Sequence, residues 1–135
     1  MATIKLEVVT PTGKVLDVEA DTVTAPGALG ELGVLPEHRP GLVMLGGGAL
    51  RYEKNGSEGE PVYIRGGVAE IRPDGVLVLA DEARTAANAD KARAEKILEK
   101  AIAGQDQSEY LDDAQLQSLT NDRAYAEAIL KVAGH

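Results

Sequence analysis

The sequence predicts a mixed fold, β then α: an N-terminal β-sandwich of about ten short strands over residues 1–82, followed by a C-terminal α-helical hairpin over residues 83–135. Three observations carry the prediction. Between residues 4 and 81, apolar side chains alternate with polar ones at a period of two and are interrupted by Gly, Pro, Asn and Asp. That is the pattern of half-buried strands joined by tight turns. Near residue 82 the composition turns to Ala, Lys, Glu, Leu and Gln, without Pro and with Gly only at 104 and 134, and the apolar residues recur at helical spacing. Finally, 44% of the 135 residues are hydrophobic although Phe and Trp are absent. The core must therefore be built from Val, Leu, Ile and Ala, and a chain of this length buries roughly two-thirds of its unfolded surface.

The expected strands are 4–10, 14–20, 22–25, 31–35, 42–45, 49–54, 61–65, 68–72 and 76–80. Thr12-Gly13 and Asn55-Gly56 supply positive φ for tight hairpins, and Pro73-Asp74-Gly75 suits a type I turn closed by a left-handed glycine. Gly46-Gly47-Gly48 reads as a turn, and Gly66-Gly67 as a bulge or a close strand approach. Short antiparallel strands in this number imply a sandwich or flattened barrel with its loops gathered at two ends, where partners dock.

In the helical part, Asn88 is the expected N-cap, Ala94, Ile97, Leu98, Ala101 and Ile102 form one apolar stripe, and Gly104 ends the helix. After a polar link, Asp112 or Asp113 is the expected second cap, and Asp112 with Gln115 has capping-box spacing. Leu116, Leu119, Ala126, Leu130 and Ala133 line a second stripe, interrupted by Arg123. Ala-rich stripes bury little area, so the hairpin must lean on the sandwich or on another protein, and a weakly held hairpin is a natural bistable element.

Catalytic chemistry is nearly absent from the sequence. Without Cys there are no disulfides, thiolate metal sites or thiol nucleophiles, and two His, one of them terminal, give a metal little to hold. The three Ser lie outside any nucleophile elbow, and the glycine triplet matches no phosphate-loop motif. The formal charge of −8 and the four Tyr as sole aromatics argue against nucleic acid. The first ten residues alternate like a strand and lack the apolar stretch of a signal peptide. The longest apolar run, 76–80, falls far short of the roughly 20 residues a spanning helix needs.

What stands out is the loop from Pro26 to Leu42, with glycines at 27, 30, 33 and 41 and prolines at 26, 36 and 40. Its run Gly30-Glu31-Leu32-Gly33-Val34-Leu35-Pro36-Glu37-His38-Arg39-Pro40 resembles the signature loop of the epsilon subunit of bacterial rotary ATP synthase, called delta in mitochondria. The resemblance spans the chain, through the hairpin at residues 10–13, Gly48-Ala49-Leu50, Gly66-Gly67-Val68-Ala69-Glu70 and the switch from strands to a helical hairpin.

The resemblance implies a non-catalytic rotor subunit that links proton flow to ATP synthesis. Its sandwich would be clamped to the gamma subunit and rest on the c-ring, and its helices would regulate or inhibit ATP hydrolysis through transient contact with the catalytic beta and alpha subunits. It further implies a position peripheral to the cytoplasmic face of the bacterial inner membrane, with membrane association only through the complex. Gly30, Glu31, His38 and Leu42 then become candidate c-ring and gamma contacts; His38 read on its own is equally a hydrogen-bonded loop histidine fixing the turn between Pro36 and Pro40.

Two departures qualify the resemblance. Some members bind ATP through a helix-start motif of Ile or Leu, Asp, two variable residues, Arg and Ala; here Ala89 replaces the leading aliphatic, while Asp90, Arg93 and Ala94 are kept. The expectation is ATP as a weak regulatory ligand on Asp90, Arg93, Ala94 and Arg123, against the plainer reading of Asp90 and Arg93 as a surface pair. No other cofactor and no metal are expected. In the family, inhibition uses basic helical residues, and here these are Lys91, Lys96 and Lys100 on the first helix. The second helix carries a net charge of −2 and is expected to be repelled by an acidic target. The alternative function is a free-standing ATP-sensing or adaptor protein with a mobile hairpin.

Overall fold

The structure is a computed structural model that describes residues 3–36 and 39–133. Among the described residues, eleven strands form the N-terminal part: β1 (Ile4–Thr10), β2 (Gly13–Ala20), β3 (Thr22–Gly27), β4 (Gly30–Val34), β5 (Gly41–Leu45), β6 (Gly48–Lys54), β7 (Ser57–Glu58), β8 (Val62–Ile64), β9 (Gly67–Arg72), β10 (Gly75–Ala80) and β11 (Ala83–Thr85). They follow the order β11-β8-β6-β3-β5-β9-β10-β1-β2, with β4 added to β3 and β7 to β6. The sheet folds over so that β1 and β2 face β3, β6 and β11. Between the layers lies a core of aliphatic side chains, among them Leu6, Val8, Val23, Leu50, Val62, Ile64 and Val78. A β-sandwich followed by two helices is thus observed as the sequence implies.

The differences have local causes. β7 and β11 are two and three residues long, too short for a period of two to register. β11 pairs with β8 and carries the sheet to Thr85, beyond the expected strand region. The strands are not all antiparallel, because β1 and β10 pair in parallel with Leu6 opposite Val76. Gly75 does not take the left-handed conformation expected of it. A Cβ there would lie 2.7 Å from the Lys5 carbonyl oxygen, so the glycine admits the close approach of β1. The hairpin at Asn55-Gly56 does turn through positive φ at both residues, 53° and 79°, as a type I′ turn requires.

Helix α1 (Lys91–Gln105) starts two residues later than an Asn88 cap would place it. Asn88 belongs to a short 3₁₀ turn, and the Asp90 carboxylate accepts the Arg93 N–H at 3.1 Å, placing its charge at the positive end of the helix. Gly104 stays helical, and α1 runs one residue past it. A Cβ at Gly104 would come within 2.9 Å of Leu119, so its smallness serves packing between the helices.

Helix α2 (Asp113–Ala133) begins with the expected capping box. Gln115 N–H donates to Asp112 Oδ1 at 2.8 Å, and Asp112 N–H donates to Gln115 Oε1 at 3.0 Å. Tyr125 and Ile129, outside the expected stripe, are among the most buried residues of α2. The helix faces both α1 and the sandwich strands β6 and β8, so one stripe cannot describe it. The hairpin is docked, and its contact with the sandwich is a second core of Tyr63, Ala94, Ile97, Tyr125, Ala126 and Ile129.

Candidate functional site

Two surfaces combine chemistry with placement. The first is the outward face of the sheet. Strand alternation sends Leu42 and Met44 of β5, Val68 and Glu70 of β9, Leu77 and Leu79 of β10, and Glu7 and Val9 of β1 to the same side. Pairing aligns Met44, Val68, Leu79 and Val9 in one row and Leu42, Glu70, Leu77 and Glu7 in the next. Leu42, Met44 and Leu79 are 74%, 66% and 51% exposed. Large aliphatic side chains adjoining across four strands form the kind of contiguous patch that marks a protein partner.

The second surface is the polar seam between sandwich and hairpin. Glu82, at the end of the run from β10, is held by both helices. Arg93 of α1 clamps the carboxylate with both terminal nitrogens, Nη2 donating to Oε1 at 2.7 Å and Nη1 to Oε2. The Tyr125 hydroxyl of α2 donates to Oε2 at 2.6 Å. Arg65, between β8 and β9, reaches Glu82 Oε1 at 3.4 Å and donates from Nε to Asp122 Oδ1 of α2 at 2.7 Å. Its guanidinium carbon lies 6.0 Å from the centre of the Tyr125 ring, at the edge of cation–π range.

The Arg93 hydrogen bonds, helped by Tyr125 and opposed by partial burial, lower the Glu82 pKa to about 2. Arg93 shifts upward chiefly through Glu82, and Arg65 chiefly through Asp122. Tyr125 shifts upward first because it is buried and then because it donates to Glu82. The seam is a latch of charge-assisted hydrogen bonds joining three parts of the chain. Of its members only Arg93 stood out in the sequence. Tyr125, the one aromatic within either α-helix, is the available signal, while Arg65, Glu82 and Asp122 belong to no sequence motif.

The remaining sequence candidates are scattered. Gly30 turns at φ 132° in the hairpin between β3 and β4, beside fully exposed Leu29. Glu31 pairs with Arg51 at 3.1 Å on the surface, the two side chains being 64% and 51% exposed. Such an exposed pair holds weakly and leaves the carboxylate available. His38 lies outside the described residues. Asp90 caps α1, and Ala94 is buried beneath that helix. Arg123 is bonded to Glu127 and to Gln105, twelve residues and about 18 Å of helix axis from Arg93. Asp90, Arg93 and Arg123 therefore do not converge in this docked arrangement.

Arg93 instead joins Arg65, Lys96 and Lys100 around a groove of about 320 Å³ floored by Ile97, Ala101 and Leu119, with Asp122 at its wall. Lys91 is exposed at the start of α1. Among the described residues, no group of acidic or histidine side chains is arranged to hold a metal, and no helix is long and apolar enough to cross a membrane.

Comparison with known proteins gives consistent matches. Residues 3–86 match the family model for the ATP synthase delta/epsilon chain β-sandwich domain. An ATP synthase epsilon chain of Granulibacter bethesdensis is 42% identical over 95% of this chain and 98% of its own length. That of Bacillus subtilis is 43% identical over 75% of this chain and 76% of its own. Among solved structures, a chain in the cryo-EM structure of the Euglena gracilis mitochondrial ATP synthase, OSCP/F1/c-ring, aligns with a TM-score of 0.71 and 27% identity, covering all of this chain and 83% of that one.

Proposed function

The chain belongs to the ATP synthase delta/epsilon family, a non-catalytic part of that complex, and from this premise we propose that it is a rotor subunit of the central stalk that couples proton flow to ATP synthesis. The observation that carries the reading is the outward apolar face of Leu42, Met44, Val68, Leu77 and Leu79. A torque-bearing part needs an extended, rigid contact rather than a reactive group, and this face lies on hydrogen-bonded strands. Its proposed occupant is the gamma subunit. The exposed hairpin tip at Leu29, Gly30 and Glu31 is the proposed contact for the polar loops of the c-ring. The complex would thereby sit peripherally at the cytoplasmic face of the bacterial membrane. Gamma from the same organism should form a one-to-one complex with the chain at micromolar concentration. A paired Leu42→Asp and Leu79→Asp change should abolish that complex without altering thermal stability. Absence of any complex with the unaltered chain would refute the reading.

The hairpin is proposed as the regulatory part, restraining ATP hydrolysis when it leaves the sandwich and meets the catalytic subunits with Lys91, Lys96 and Lys100. Removing residues after Asn88, which spares β11 and its pairing with β8, should then raise hydrolysis by the assembled enzyme; unchanged hydrolysis would end the regulatory reading. ATP is proposed as a weak ligand of the basic groove. Arg93 must first give up Glu82 to take a phosphate, which supports low affinity. Equilibrium dialysis with no retention at millimolar ATP would remove ATP from the account.

A further inference from the structure

The docked hairpin covers two tyrosines whose hydroxyls meet opposite fates. Tyr125 is fully buried and its hydroxyl donates to Glu82. Tyr63 is 1% exposed, and among the described residues its hydroxyl is a buried side-chain group without a hydrogen-bond partner. The strand explains this. In β8, Val62 and Ile64 point into the sandwich core, so alternation turns Tyr63 outward to the helices. There Ala94, Ile97, Tyr125, Ala126 and Ile129 enclose it; its register partners on the flanking strands are Ala49 and Arg84, and no hydrogen bond joins its hydroxyl to Arg84. The five enclosing side chains belong to α1 and α2, so seating the hairpin takes the Tyr63 side chain out of water. An exposed hydroxyl keeps its hydration, whereas a buried one without a partner forfeits it uncompensated.

We propose that Tyr63 is a release element built into the sandwich: its buried hydroxyl weakens the docked state, so that the Glu82–Arg93–Tyr125 latch holds the hairpin only marginally and a partner can lift it. The proposal deepens the reading of the hairpin as the moving part and rests on it. Its size suits that role. Moving a two-state equilibrium from 1:99 to 99:1 takes a factor of about 10⁴. An unpartnered buried hydroxyl is worth about tenfold, or roughly a quarter of that span on a logarithmic scale. Tyr63 thus biases the switch without deciding its position.

The test is Tyr63→Phe, which keeps the ring and removes only the hydroxyl. Because the chain has no native Cys, exposed Ser57 and Lys131 can be changed to Cys and labelled with a dye pair in the full-length protein. The docked-to-undocked ratio is then read from single-molecule energy transfer across low urea and extrapolated to water. Tyr63→Phe should raise the ratio about tenfold, and Tyr125→Phe, which removes a partnered hydroxyl, should lower it. A Tyr63→Phe ratio that falls, or that moves by less than about twofold, would overturn the proposal. So would a rise for Tyr125→Phe. The measurement needs no partner protein, so a failed gamma complex would sink the rotor reading alone, and an unmoved Tyr63→Phe ratio would sink the release element alone.

Discussion

Replacing Gly47 by Ala is expected to unseat the hairpin and leave the sandwich folded. Gly47 links β5 to β6, and α2 passes directly over it. A Cβ at this position would lie 2.0 Å from the Asn121 carbonyl oxygen and 2.9 Å from the Tyr125 nitrogen. Both are backbone atoms, so no rotamer change relieves the clash. Restoring a contact of about 3.5 Å needs α2 to retreat by about 1.5 Å. That distance takes the Tyr125–Glu82 bond of 2.6 Å and the Arg65–Asp122 bond of 2.7 Å out of hydrogen-bond range. Hydrogen bonds to charged groups contribute about 1.5–3 kcal/mol each, and the partial exposure of this pair argues for the lower end. Docking should weaken by about 3 kcal/mol, a factor of about a hundred. Hydrogen exchange of the amides of residues 125–129 should accelerate correspondingly, while the strand signal in circular dichroism melts at its original temperature. Unchanged exchange in the variant would show that α2 does not rest on Gly47.

Three further outcomes follow from the same contacts. The Glu82 pKa is depressed in the docked state, so its contribution is fully present above the ordinary carboxylate value and is lost as pH falls toward about 2; the labelled chain should therefore undock progressively between about pH 5 and pH 2. Leu50→Ala should destabilise the sandwich by about 2–5 kcal/mol in urea unfolding, because Leu50 is fully buried, whereas Leu35→Ala, at a residue 60% exposed, should change stability by less than about 0.5 kcal/mol. Asp112→Ala should cost about 1 kcal/mol by removing the acceptor for the Gln115 N–H, seen as faster exchange confined to the first turn of α2.

Much of the fold was legible because it rests on local rules. Alternation locates nine of the strands, Asn55-Gly56 specifies its hairpin, and Asp112 with Gln115 marks the start of α2. The parts that were not legible depend on partners distant in sequence. The parallel pairing of β1 with β10 leaves no period of its own, since it joins segments about 70 residues apart. Tyr63 looks like one more residue of an apolar strand until the helices cover it. Glu82 lies between two strands and Arg93 in α1, so no periodicity within one element relates them.

The glycine triplet shows why the site was harder to read than the fold. Taken alone, Gly46-Gly47-Gly48 signals a turn; Gly48 already belongs to β6, and the structure has a bend at Gly47 between two strands that do not pair with each other. Its tighter constraint comes from Asn121 and Tyr125, more than seventy residues away, whose backbone occupies the space a side chain would need.

By itself, the sequence determined the order of elements, the aliphatic make-up of the core, the absence of thiol chemistry and the family resemblance, because these follow from residue type and short-range spacing. Tertiary structure alone decided that the hairpin is docked, that Arg93 serves a latch with Glu82, and that Leu42, Met44, Val68 and Leu79 adjoin on one face. Each of those depends on which distant surfaces come within a few ångströms, where packing and charge-assisted hydrogen bonds act, and that distance is set by the closed sheet rather than by neighbours along the chain.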